Sequence, residues 1–113
     1  AKAAMLNLTQ SLAVAWGPHG VRVNALCPGW IRTGLNQAYT ADEQRAATAI
    51  DAVPLARWGD PADLVGAAVW LASDAARYVT GALIPVDGGL AVGLPAAWQR
   101  QMDLYEIVER RRD

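Results

Sequence analysis

Apolar residues recur at helical spacing at the start of the chain, where Met5, Leu8, Leu12, Ala13 and Trp16 fall toward one face. The spacing predicts a helix over 1–16. Gly17-Pro18 ends it, because glycine suits a C-cap and proline cannot continue the ladder. After a turn at His19-Gly20, the β-rich apolar run 21–27 reads as a short buried strand, closed by Pro28-Gly29. Residues 30–40 read as loop. Thr40 and Glu43 have capping-box spacing and predict a helix over 41–51, whose alanine-rich apolar side implies shallow packing or mobility. Pro54 breaks it. Asp60-Pro61 predicts the next helix start, with Asp60 as N-cap and a run to about Ser73 that turns Leu64, Ala68, Leu71 and Ala72 to one face. A second apolar strand covers 82–86, and Asp87-Gly88-Gly89 forces a turn. Two buried strands joined by a helical crossover imply a parallel, right-handed β-α-β unit. Pro95 opens an amphipathic pattern through Trp98, Met102, Leu104, Tyr105 and Val108, which predicts a helical tail.

Composition narrows the class. In 113 residues the hydrophobic fraction is 53% and the charged fraction 19%, which excludes a disordered chain and fits an α/β core. A formal net charge of −1 without a long basic block gives no nucleic-acid footprint. The C-terminal Arg110, Arg111 and Arg112 suit the negative end of a helix dipole. The longest apolar run, 64–72, is far too short to span a membrane, and the N-terminus has no signal-like segment. Cys27 is the sole cysteine, so no intrachain disulfide forms, which fits a cytoplasmic location. Cys27 and His19 lie at opposite ends of the first strand. About six residues at ~3.3 Å each hold them ~20 Å apart, too far for a nucleophile–base pair. One cysteine and one histidine offer no metal-ligand set.

Four stretches carry a family resemblance: Ala1-Lys2-Ala3-Ala4 opening a helix; Gly20-Val21-Arg22-Val23-Asn24-Ala25-Leu26-Cys27-Pro28-Gly29 with Trp30-Ile31-Arg32-Thr33; Pro54-Leu55-Ala56-Arg57-Trp58-Gly59-Asp60-Pro61-Ala62-Asp63; and Tyr78-Val79-Thr80-Gly81 with Val86-Asp87-Gly88-Gly89. In this order and spacing, over residues 1 to about 90, the chain resembles the short-chain dehydrogenase/reductase family, in the group that includes 3-oxoacyl-carrier-protein reductases. The resemblance implies the C-terminal portion of a Rossmann-like, doubly wound parallel sheet, made of its last two strands with flanking helices. It places the Rossmann portion at 1–90 and a separate tail at 91–113.

The resemblance also implies chemistry. The family pairs a tyrosine with a lysine four residues later, on one helix face. The ammonium lowers the phenol pKa and binds the nicotinamide ribose. Lys2 matches the lysine; the tyrosine would lie upstream of Ala1. Pro28 and Gly29 fall at the C-terminal end of a parallel strand, where open α/β sheets take ligands, and Gly29 would let the backbone approach a cofactor. The Ile31 position holds the nicotinamide carboxamide through its backbone. The Thr33 hydroxyl position bonds carboxamide or pyrophosphate, although Thr33 could equally cap a helix. Trp30 borders the substrate pocket in relatives and would select apolar or planar substrates, with simple packing as the alternative. Residues 34–53 match the variable substrate loop, with Leu35, Asn36 and Tyr39 as weaker lining candidates and closure over the site as an option.

The implied activity is reversible hydride transfer between NAD or NADP and a secondary alcohol or ketone. No Gly-x-x-x-Gly-x-Gly segment occurs in the sequence, nor do the family's catalytic serine and tyrosine. The residue that separates NAD from NADP would also lie upstream. These residues alone are therefore expected to be inactive, and an exposed strand edge is expected to favour self-association or docking onto an N-terminal half. Two other readings stand beside this one. The first is a non-catalytic module that pairs with a full-length relative through helix 61–73 and strand 82–86. The second is a truncated product without function.

Overall fold

The computed structural model describes residues 1–92; the helix expected in the tail lies outside the described residues. Helix α1 spans Lys2–Trp16, as its apolar spacing predicts. Its termination differs from expectation. Gly17 stays right-handed and continues into a 3-10 turn, Gly17–His19, and the left-handed residue that reverses the chain is Gly20 at φ 76°. Pro18 sits near the start of that turn, where its missing N–H costs nothing.

Strand β1 covers Ala25–Pro28 and strand β2 covers Leu83–Val86; they pair in parallel, with Ala25 opposite Leu83 and Pro28 opposite Val86. β1 is shorter than the expected 21–27 because polar groups take over the pairing before Ala25. Gly81 N donates to Val23 O at 2.7 Å and Val23 N donates to the Thr80 hydroxyl at 3.1 Å. The Asn24 side chain donates to Val79 O and accepts from Ala82 N, both at 3.0 Å. Arg22 adds Nη1 to Val79 O at 3.2 Å. These bonds lock the 78–82 turn against the entrance of β1 and so set the register of the sheet. The strand is half-buried rather than buried, since its edge away from β2 meets no strand among the described residues. Pro85 lacks a donor and suits an edge strand such as β2.

Between the strands, the expected loop 30–40 contains a 3-10 turn, Gly34–Asn36, and a one-turn helix α2, Gln37–Thr40. Helix α3 spans Glu43–Ile50, and its N-cap is Asp42, not Thr40. The Asp42 carboxylate accepts from Gln44 N and Arg45 N at 3.1 Å, while the Thr40 hydroxyl turns back to Gln37 O. A carboxylate at the N-cap also meets the positive end of the helix dipole, which a hydroxyl cannot match.

Helix α4 spans Ala62–Ala72 and packs on both strands. The side chain of Asp60 does not cap it. Instead Asp63 reaches back from the first turn and accepts from Asp60 N at 2.8 Å. Among the described residues, the buried apolar ones are Ala13, Ile31, Val53, Trp58 and Ala76. Met5, Leu8 and Val14 on α1, and Val65, Val69 and Trp70 on α4, remain exposed.

Candidate functional site

The chain leaves β1 at Pro28 and stays tied to β2, with Gly29 N donating to Val86 O at 3.1 Å. It then forms a single parallel bridge, Ile31 with Gly59, in which Gly59 N donates to Trp30 O at 2.8 Å and Arg32 N donates to Gly59 O at 2.9 Å. Backbone groups alternate in direction along an extended segment, so those of Ile31 itself face away from Gly59. The Ile31 carbonyl accepts from Asn36 Nδ2, at 2.6 Å. The Ile31 N–H meets no protein acceptor among the described residues. Residues 28–33 thus form a shelf at the C-terminal end of the sheet, tied to Gly59 on one side and to the Asn36 side chain on the other.

Asn36 works differently from the lining residue expected of it. Its amide is committed at both ends, to Ile31 O and, through Oδ1, to Thr33 N at 2.8 Å. Asn36 therefore shapes the shelf from within, with one amide hydrogen and one carbonyl lone pair already committed. The Thr33 backbone begins the 3-10 turn, as a cap position would, and its residue stays exposed. Gly29 also has a physical reason within the fold itself. A Cβ there would lie 2.7 Å from Asp87 Cβ and 2.8 Å from Asp87 Cα, so the glycine is required by the strand-end turn that passes beside it. Asp87 is pinned in that turn, its carboxylate accepting from Gly89 N and Ala91 N at 2.9 Å. Gly88 and Gly89 take positive φ, as the turn reading requires.

Aromatic side chains cover one end of the shelf. The Trp30 and Tyr39 rings are parallel within 6°, with centroids 6.2 Å apart. Trp58 meets Trp30 edge-on at 5.5 Å and Tyr39 at 6.3 Å. Trp30 and Tyr39 keep 41% and 38% of their surface exposed, whereas Trp58 keeps 4%. Leu35 is fully exposed and joins no part of this cluster. The contribution of Trp58 was not singled out from the sequence. Its signal was a large aromatic ring inside the otherwise polar stretch Arg57-Trp58-Gly59-Asp60.

Behind the shelf lies a cavity of about 180 Å³, lined among others by Trp30, Ile31, Leu55, Arg57, Asp63 and Asp87. Arg57 grips Asp63 bidentately, Nη1 to Oδ2 at 2.9 Å and Nη2 to Oδ1 at 3.2 Å. The Arg57 hydrogen bonds, with the one from Asp60 N, lower the Asp63 pKa to about 2. Arg57 is correspondingly raised, first by its hydrogen bond to Asp63. Both groups are spent on each other and on the start of α4, so the pair braces the cavity wall. Lys2 is the first residue of α1. Among the described residues no cluster of three or more His, Cys, Asp or Glu side chains could hold a metal ion, and no helix is long and apolar enough to cross a membrane.

A parallel strand pair joined by a helical crossover is the unit from which open α/β sheets are built. Within that class the chain belongs to the short-chain dehydrogenase/reductase family, and its fold is Rossmann-like: the family profile described as "Enoyl-(Acyl carrier protein) reductase" matches residues 1–91. L-rhamnose 1-dehydrogenase (NAD(P)(+)) of Azotobacter vinelandii is 52% identical over 93 residues, which is 82% of this chain and 36% of that protein. 2-Dehydro-3-deoxy-D-gluconate 5-dehydrogenase of Escherichia coli is 46% identical over 88 residues, covering 78% of this chain and 35% of that protein. The crystal structure of a gluconate 5-dehydrogenase from Burkholderia cenocepacia, in complex with NADP and tartrate, superposes with a TM-score of 0.78 at 36% identity, covering 82% of this chain and 36% of that one. The chain thus spans a little over a third of the length of the relatives it matches.

Proposed function

We propose that these residues form the nicotinamide-side and substrate-side part of an NAD(P)-dependent dehydrogenase that interconverts a secondary alcohol and a ketone on a small polyhydroxylated substrate. The Ile31 N–H, in the shelf at the C-terminal end of the sheet, carries this reading. It is a donor without a protein partner, set where the family resemblance locates the nicotinamide carboxamide. The relatives named for sugar and sugar-acid dehydrogenation supply the substrate class. This replaces the simple apolar preference that Trp30 alone would suggest, because the C–H faces of a polyol can also lie on an aromatic ring.

Bound NAD or NADP would supply the hydride donor or acceptor. Pro28 and Gly29 would place the shelf, the Ile31 N–H would orient the carboxamide, and the Thr33 hydroxyl would bond the carboxamide or pyrophosphate. Trp30 and Tyr39 would flank the substrate. Leu35, fully exposed, would reach substrate only if the 34–53 segment closed. Lys2 would hold the ribose and favour the phenolate of an acid/base tyrosine. That tyrosine, and a glycine-rich pyrophosphate loop, are not among these residues, so hydride transfer needs groups supplied from outside them. An N-terminal half that pairs with the open edge of β1 would supply both and cover Met5 and Leu8.

The test is reconstitution. The chain is joined to, or mixed with, an N-terminal half carrying those motifs, and NAD(P)H-linked reduction of keto-sugars is followed. Activity that depends on both halves is the expected result. Lys2→Ala leaving the restored rate within about twofold would remove the role given to Lys2.

A second reading, a non-catalytic module that pairs with a full-length relative or with itself, is favoured by the exposed Val65, Val69 and Trp70 of α4. Size-exclusion chromatography of mixtures decides it; no shift with any full-length relative counts against it.

A further inference from the structure

The buried indole of Trp58 touches three separate segments. Its ring meets Trp30 on the shelf and Tyr39 on α2, and its Nε1 donates to the carbonyl of Ala46 on α3 at 3.0 Å. α3 has few other attachments: its residues are exposed or half-buried, and its cap and the Thr48 hydroxyl bond are made within the segment itself. We propose that Trp58 is the positioning residue of the 37–50 segment. It holds that segment, and with it the Trp30–Tyr39 pair, against the shelf, so that the two exposed rings form one fixed wall of the substrate site.

A parallel ring pair keeps a common orientation only if something behind it resists tilt, and an edge-on partner against each ring does so. Trp58 is itself fixed by its neighbours in the chain. Gly59 is bridged to Trp30 O and to Arg32 N, and the Trp58 carbonyl accepts from Arg57 Nη1 at 3.0 Å. The indole is therefore anchored to the sheet side through its backbone and to the helical segment through its side chain. Without the N–H, α3 keeps its own helix but loses its hydrogen bond to the anchored side. Without the ring, Trp30 is free to tilt at the entrance of the shelf.

The proposal rests on the functional reading only in taking residues 30–39 to face substrate; the mechanical claim is testable on the chain itself. Amide hydrogen exchange is measured on the chain and on Trp58→Phe, which keeps a ring but removes the indole N–H. Amides of 43–50 are expected to exchange about fivefold faster, the equivalent of one typical net hydrogen bond, with amides of α1 and of β1 and β2 unchanged. Equal acceleration in all elements would mean a merely structural core residue and would overturn the proposal, as would no change at 43–50. Should Trp58→Phe not fold, exchange of the Trp58 indole N–H is followed in the unchanged chain: exchange at the rate of the 43–50 amides is expected, and exchange as fast as that of an exposed indole would overturn the proposal.

The reconstituted enzyme gives a second readout: Trp58→Phe is expected to raise KM about threefold or more with kcat within about twofold, because the wall positions substrate without touching the reacting atoms. An unchanged KM overturns the link to substrate. An inactive reconstitution beside a localised exchange change removes the dehydrogenase reading and leaves the anchor standing.

Discussion

Replacing Gly29 with alanine isolates the contact that joins the shelf to the turn after β2. Gly29 does not adopt a positive φ, so alanine introduces no backbone strain there; the cost is one of space. The new Cβ would stand 2.7 Å from Asp87 Cβ, 2.8 Å from Asp87 Cα and 3.2 Å from Asp87 O. Carbon atoms rest about 3.5–4.0 Å apart, so the two backbones must separate by roughly 1 Å. Asp87 cannot yield cheaply, because its carboxylate holds Gly89 N and Ala91 N, and Gly29 N is bonded to Val86 O just before it. Overpacking against such a fixed partner costs about 1–3 kcal/mol, and the upper part of that range is expected here. Gly34→Ala is the control. Nothing lies within 4 Å of its would-be Cβ, and a less flexible unfolded chain stabilises by about 0.4–1 kcal/mol. Urea unfolding followed by circular dichroism should place the two midpoints about 1.5–2.5 M apart for an m-value near 1.5 kcal/mol/M. Gly29→Ala and Gly34→Ala with midpoints that coincide within error would refute the packing argument.

Asp63 has its pKa lowered to about 2, below an unfolded value near 3.9, so its contribution to stability is present above about pH 4 and is lost as pH falls through about 2. Acid titration of unfolding should show that loss, and Asp63→Asn should flatten it; an unchanged slope would remove the ion pair from the account. Ala56 stands at φ 54°, a left-handed conformation that costs an L-residue about 1–2 kcal/mol, so Ala56→Gly should stabilise by roughly 0.5–1 kcal/mol after the unfolded-state entropy of glycine is subtracted, measured by thermal unfolding. Asn24→Ala breaks the bonds to Val79 O and Ala82 N and should cost about 1–3 kcal/mol; a neutral result in urea would show that the 78–82 turn holds its register without them.

Much of the architecture was legible from the chain alone. Helix α1, the two strands and the crossover helix α4 follow from periodicity and from proline and glycine punctuation, which are local properties. The family, too, could be read from four short motifs, because they are linear. Competition between neighbouring groups was harder to read. Asp42 displaced Thr40 as the cap of α3 because a carboxylate meets the backbone donors more favourably than a hydroxyl, and Asp63, held by Arg57, rather than the Asp60 side chain takes the backbone donor at the start of α4. Only the tertiary structure turned Asn36 inward onto Ile31 and Thr33, gave Gly29 its reason in the backbone of Asp87, and made Trp58 the centre of an aromatic cluster drawn from three segments. Those roles depend on distances between residues far apart or facing one another across turns. Sequence spacing fixes which residues share an element; which side chain fills the space between elements is decided when they pack.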